Sequence, residues 1–140
     1  MFSFTVDGDP KGQPRARATK IGGFIRLYTP GTAADFKDRI RAAATAAGLR
    51  GKMLKGPLRV SITFFFTRPK NHFRANGQLK PHAPVWHTAK PDRDNSEKAV
   101  DDALTSIGAW KDDSQVCDGP VQKKYANSHA QTHITIECLN

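Results

Sequence analysis

The chain of 140 residues carries 22 Lys or Arg against 13 Asp or Glu, a formal net charge of +9. That length fits one domain with a modest core, and no stretch approaches the ~20 apolar residues of a membrane span. The opening MFSFTVDGDPKG lacks the regions of a signal peptide, and Cys117 and Cys138 lack metal-ligand spacing, so a cytoplasmic chain with reduced, buried cysteines and no membrane partner is expected.

Residues 2–6 alternate apolar and polar side chains, the pattern of a half-buried strand. They run into a loop over residues 8–17 that holds Pro10, Pro14, Gly8, Gly12 and the cations Lys11, Arg15 and Arg17. Residues 24–28 are predicted as the second strand of a hairpin. A helix is expected over residues 32–47, where Phe36, Ile40, Ala43, Ala44 and Ala47 share a face and Gly48 provides the stop. Residues 58–67, LRVSITFFFT, form the strongest strand, and their long apolar run places it centrally. Residues 68–88, with three prolines and His72, His82 and His87, read as a long loop. A second helix over residues 95–107 has Ala99, Val100, Ala103, Leu104 and Ile107 as its buried stripe and closes at Gly108. Residues 116–125 and 132–139 read as a final antiparallel pair. The order predicts one α+β (mixed α/β) domain over residues 1–140, with a four- to five-stranded mixed sheet and two main helices.

The charge is unevenly divided. Residues 1–90 hold 17 Lys or Arg against 4 Asp, whereas residues 91–140 hold 5 against 9 Asp or Glu. A basic half is the footprint of a nucleic-acid binder; its plainer meaning is a soluble surface. The acidic half favours the first. Asp92, Asp94, Asp101, Asp102, Asp112 and Asp113 crowd between Lys90 and Ser114, with Asp118 just outside. A basic chain has reason to gather carboxylates if they hold divalent metal while the remaining surface holds a polyanion, as in a metal-dependent nuclease.

Phosphodiester hydrolysis needs an in-line water, a metal on the phosphoryl oxygens and relief for the leaving oxyanion. Asp92 and Asp94, on an extended segment entering the helix, would point to one side, with Asp94 or Asn95 as the cap. Lys98 lies at i, i+4 from both Asp94 and Asp102, where it could steady carboxylates or neutralise charge on the phosphate. The turn Gly108-Ala109-Trp110 brings Asp112 and Asp113 back, and a strand returning near Ser114 would set one of them against Asp92 and Asp94. Plainer roles stand beside these. Asp92 and Asp94 could cap a helix, Asp101 or Asp102 could be solvated, Asp112 and Asp113 could serve a turn, and Lys98 an ion pair. Lys11, Arg15 and Arg17 are placed to approach phosphates, as are Arg68, Lys70, Arg74, Lys80 and Lys90. Phe73 and Trp86, interleaved with those cations, could stack on unpaired bases or anchor the loop to the core. His87, beside the acidic run, is the one histidine suited to a supporting or acid–base role.

The run His87-Thr-Ala-Lys90-Pro91-Asp92-Arg93-Asp94-Asn95, continued by Lys98-Ala-Val, Asp102-Ala-Leu and Gly108-Ala-Trp110-Lys-Asp112-Asp113-Ser-Gln-Val116, resembles the signature of the RusA family of Holliday-junction resolvases. Pro10-Lys11-Gly12-Gln13-Pro14-Arg15 and Tyr28-Thr29-Pro30 extend the likeness over the whole chain. The resemblance implies a phage- or prophage-borne, homodimeric, Mg²⁺-dependent endonuclease, with Mn²⁺ as a substitute ion, that resolves four-way DNA junctions by paired nicks in recombination and repair. It implies Asp92, Asp94 and Asp113 as metal ligands and, with Lys98, as the catalytic set; Asp102 and Asp112 match acidic family positions. Asn95 and His87 are candidate supporting residues. Two departures stand out: Ser96 replaces an apolar residue, which would loosen the helix start, and Gln13 replaces a common arginine. A flap- or fork-specific nuclease and a non-catalytic binder of branched DNA are the alternatives.

Overall fold

The computed structural model describes residues 1–13, 17–28 and 33–140, with 17–19, 21 and 26–28 described by backbone alone. In chain order the elements are β1 (Phe2–Asp7), β2 (Arg17–Ile21), β3 (Phe24–Tyr28), α1 (Ala34–Ala46), β4 (Leu58–Phe66), α2 (Arg93–Ser106), β5 (Val116–Asp118), β6 (Val121–Tyr125) and β7 (Gln131–Cys138). Short 3-10 turns sit at Lys70–His72 and Asp113–Gln115. The expected α+β domain with a mixed five-stranded sheet and two helices is what forms.

β4 is central, as its apolar run predicts. It pairs antiparallel with β7 along one edge and parallel with β5 and β6 along the other, and β1 closes the far side of β7. Alternate β4 residues Leu58, Val60, Ile62, Phe64 and Phe66 are buried. They share one core with Phe36 and Ile40 of α1 and with Val100, Ala103 and Leu104 of α2. The predicted stripe of α2 is buried throughout, joined by Ser96.

The strand pairing corrects two expectations. β3 does belong to a hairpin, but its partner is β2, through Gly22 and Gly23, both at positive φ (58° and 88°), as a primed two-residue turn requires. Residues 116–125 are not one strand. Gly119 has φ 128°, and a Cβ there would lie 2.0 Å from the Val60 carbonyl oxygen, so the chain kinks against β4 and resumes as β6. Neither β5 nor β6 pairs with β7, because β4 lies between them. A parallel return to β4 needs a long crossover, and residues 68–92 with α2 supply it.

Cys117 and Cys138 are exposed rather than buried. The long loop is ordered: the Arg74 N–H donates to the Gln78 carbonyl at 2.7 Å, and Phe73 bridges Leu79. Its last residues run along the outer edge of β6. Tyr125 N–H donates to Val85 O at 2.8 Å, and His87 N–H to Lys123 O at 3.0 Å. That covers an edge that would otherwise present unpaired backbone groups. No helix among the described residues is long and apolar enough to cross a membrane.

Ser96 gives a stability prediction. Its side chain is fully buried and its Oγ has no hydrogen-bond partner, and a buried orphan hydroxyl costs about 1–3 kcal/mol. Ser96→Ala removes the hydroxyl and favours helix. Its melting temperature should rise by several degrees, consistent with a gain of about 1 kcal/mol; a fall would mean that Oγ serves a partner.

Candidate active site

The acidic run enters α2 differently from the extended reading. Asp92 itself is the N-cap, with extended backbone (φ −67°, ψ 149°), and Asp94 already lies in the first helical turn. The two carboxylates therefore do not share one side of an extended segment, and neither Asp94 nor Asn95 is the cap. The Asp92 carboxylate makes no capping hydrogen bond, so capping does not explain it. Asp94 Oδ1 accepts from the Asn95 N–H at 3.0 Å. Both acids are exposed at the helix N-terminus, where the macrodipole favours negative charge.

Further along α2, Lys98 Nζ lies 3.3 Å from Asp102 Oδ1, the expected i, i+4 pair. The strongest electrostatic feature falls on Asp101, which the spacing argument passed over. Burial first, then Glu97, Asp113 and Asp102, push its carboxyl up from 3.8 to about 7, against the opposing pull of Lys98. Its Oδ1 is buried without a partner. Asp101 lies seven residues after Asp94, and so on nearly the same line of the helix; that i, i+7 relation was the signal available in the sequence.

Asp113 is the acid that the return turn brings to α2, where it acts on Asp101. Its position is set by Asp112, whose Oδ1 accepts from the Ser114 N–H at 2.9 Å, while Gln115 Oε1 accepts from the Asp112 N–H at 3.1 Å. These bonds form a capping box, and the hydrogen bonds from Ser114 hold the Asp112 carboxyl below its ordinary range. Asp112 thus makes the capping box of this turn. Asp118 is remote from the site's chemistry: it pairs with Arg59 at 2.7 Å. Among the described residues no three of His, Cys, Asp and Glu converge closely enough to hold a metal ion. The carboxylate oxygens of this run are nonetheless the donor chemistry that a hard divalent cation takes, and Asp101 Oδ1 stands buried without a partner beside Asp113. Mg²⁺ commonly takes only one or two protein carboxylates and keeps its waters.

Cations gather beside Asp92. A cleft of about 390 Å³ is lined by Gly12, Gln13, Lys90, Pro91, Asp92 and Asn95. A second, of about 240 Å³, shares Gly12, Lys90 and Pro91 and adds Asp9, Lys11 and Phe66. The loop that carries Lys11 is fastened at both ends. Asp9 accepts from the Thr67 N–H (3.0 Å) and hydroxyl (2.9 Å), and Gln13 N–H donates to Asn95 O at 2.8 Å. Gly12 fits only without a side chain: a Cβ would lie 2.8 Å from the Cβ of Pro91 and 3.2 Å from that of Asn95. Gln13, expected only as a lost phosphate contact, is a buried wall of the cleft.

The remaining expected residues divide. Arg68 is a clamp rather than a phosphate contact: Nε donates to Ala126 O at 3.1 Å, Nη1 to Pro84 O at 2.6 Å, and its guanidinium lies 5.4 Å from the Tyr125 ring centroid. Lys70, Arg74 and Lys80 are exposed, and the last two line a separate cleft with His82. Arg15 and the side chain of Arg17 lie outside the described residues. His87 stacks on Phe66, with ring centroids 3.7 Å apart, and meets Tyr125 edge-on. Burial and Lys123 lower its pKa, so the imidazole is uncharged at neutral pH, and its buried Nδ1 has no partner. Phe73 is half-buried, whereas Trp86 is 54% exposed. Lys123 was missed by sequence reasoning, because β6 is remote from the acidic run in the chain. Its Nζ donates to Ala89 O at 2.7 Å and feels Asp92.

Two predictions follow from this arrangement. The folded Asp101 carboxyl keeps its proton between 3.8 and about 7, where the unfolded chain loses it. Wild-type stability should therefore fall as pH rises through that window. In EDTA, Asp101→Asn should melt several degrees above wild type at pH 8, and the gap should shrink toward pH 4; a gap independent of pH would contradict the assignment. For the cations, Arg68→Ala should lower the melting temperature and leave the salt dependence of DNA binding unchanged. Lys11→Ala and Lys90→Ala should each lower the log–log salt slope by roughly 0.9 on duplex-like arms. The opposite pattern in melting curves and salt titrations would exchange these roles.

Over residues 7–137 the chain matches the family described as endodeoxyribonuclease RusA. It is 33% identical over 134 residues to the uncharacterized protein YqaN of Bacillus subtilis (strain 168), covering 89% of this chain and 88% of that one. It is 25% identical over 125 residues to the crossover junction endodeoxyribonuclease rusA of Lactococcus phage r1t, covering 82% and 80% respectively. The acidic run, Lys98, Asp113 and the Gly12 loop all fall within the family match, and the chain belongs to the RusA endodeoxyribonuclease family.

Proposed function

We propose that this endodeoxyribonuclease is a Mg²⁺-dependent homodimer that resolves Holliday junctions by paired, symmetric nicks during recombination and repair. The observation that carries the reading is the pair of adjoining clefts in which Asp92 meets Lys11 and Lys90. A carboxylate surface for a cation directly beside cations for a phosphate is what metal-assisted phosphodiester hydrolysis requires.

In this reading Asp92, Asp94 and Asp113 hold the ion, which Mn²⁺ can replace. When bound, it polarises the phosphoryl oxygen and acidifies water. Lys11 and Lys90, which line the adjoining clefts, orient the phosphate. Lys98, kept on the helix edge by Asp102, neutralises charge that develops on the scissile group. Asp112 holds Asp113 in place through its capping box. A two-fold dimer brings two such sites to the two strands of a junction, and the phage relative bears the name of a crossover junction enzyme.

The test is a nicking assay in Mg²⁺ beside a gel shift in EDTA, on labelled four-way junctions, flaps and forks. Asp92→Asn and Asp94→Asn keep side-chain shape and lose one negative charge. Cutting should drop about a hundredfold or more, while metal-free junction binding persists or tightens. Folded variants that still cut near the wild-type rate would overturn the ligand assignment. Wild-type protein that cuts flaps or forks in preference to junctions would overturn the substrate.

A further inference from the structure

The geometry points to a second DNA subsite, a platform for one unpaired nucleobase formed by Trp86 with Arg93, Gln122 and Lys123. This inference rests on the reading of the Asp92 cleft as the place where a DNA strand lies. Trp86 is 54% exposed, although it sits in an ordered backbone position opposite Lys124 on the edge of β6. Its neighbours Val85 and His87 make the backbone hydrogen bonds that hold this segment. Loop anchoring therefore does not rest on the indole, which lies outside the hydrophobic core.

The indole is instead dressed for an anionic, aromatic ligand. Lys124 Nζ lies 5.0 Å from its ring centroid, and the ring lines a cleft of about 490 Å³ with His87, Arg93, Gln122 and Lys123. That volume is within the usual range for a small-molecule-sized ligand. The cleft adjoins the proposed active site: Arg93 directly follows Asp92, and Lys123 feels the Asp92 carboxylate. A strand whose phosphate lies beside Asp92 would thus bring an adjacent base to the indole. Stacking on an aromatic face accepts any base, Arg93 and Lys123 match the neighbouring phosphates, and the Gln122 amide offers a donor and an acceptor to a base edge. His87, stacked on Phe66, completes the lining. The occupant is a nucleotide left unpaired at a branch point.

The measurement is fluorescence anisotropy in EDTA, using labelled oligo(dT), a four-way junction and a plain duplex. Trp86→Ala should weaken oligo(dT) and junction binding about tenfold, as loss of one stacking aromatic does, and should leave duplex binding within about twofold. Trp86→Phe should keep most of the affinity. Trp86 emission provides a second readout against buried Trp110: oligo(dT) should quench wild type and fail to quench Trp86→Phe. Unchanged binding and quenching in these variants would overturn the platform and leave the nuclease reading intact. A Trp86→Ala protein that loses its dimer by sedimentation, with single-strand affinity unchanged, would reassign the indole to contact with a second copy. Wild-type protein that fails to bind branched DNA would overturn both readings.

Discussion

The last residues of β4 are the constraint on which the rest depends. Paired along both edges, β4 cannot shift its register without breaking contacts to three strands. At its far end Phe66 and the following Thr67 hold the parts that surround the cleft. Thr67 fastens Asp9 and with it the Lys11 loop. The Phe66 ring carries His87, and Lys123 Nζ lies 5.8 Å from its centroid. The Phe66 carbonyl accepts from the Ala126 N–H at 2.8 Å. Three segments far apart in the chain are thus fixed relative to one another by one strand end. Proximity of this kind is what a positioned phosphate requires.

α2 supplies the other half. Its buried stripe fixes rotation about the helix axis, so the edge bearing Asp94, Lys98 and Asp101 is set by packing rather than by the acids themselves. The acids are then unequal by position. Asp92 and Asp94 stand at the helix N-terminus, where backbone N–H groups and the dipole favour their charge. Asp101 stands two turns further on, beyond the reach of that effect, and burial beside Asp113 leaves it holding a proton near neutrality. The same edge therefore presents exposed carboxylates at its mouth and a reluctant one deeper in.

Much of this was legible before any coordinates. The β4 run, the two helical stripes and the acidic motif each follow from local pattern, and local pattern survives folding where packing agrees with it. What escaped was non-local. The pairing of β6 with β4 rather than β7 depends on Gly119 approaching the Val60 carbonyl, a contact between residues 59 positions apart. Lys123 meets Asp92 only because β6 returns beside the start of α2. The i, i+4 spacing of Lys98 selects Asp94 and Asp102, whereas only the longer i, i+7 period from Asp94 reaches Asp101. Arg68 was misread because a cation on a polar loop looks the same whether it faces phosphate or the carbonyls of Pro84 and Ala126.

Arg68 belongs to a wider division between the two cationic side chains. Arg39 pairs with Asp35 and caps the carbonyls of Asp7 and Asp9; Arg41 pairs with Asp38; Arg59 joins Asp118 and Glu137 across β4. Each of these guanidiniums uses a rigid fork of donors to bind fixed partners within the protein. The cations of the paired clefts, Lys11 and Lys90, are lysines. Lysine is a compact charge on a flexible stem, so it can follow a phosphate whose position changes as a strand bends or is cut, where a guanidinium fork would demand one geometry. The count of 22 Lys or Arg therefore overstates the cations offered to DNA, because several arginines are already held by internal partners.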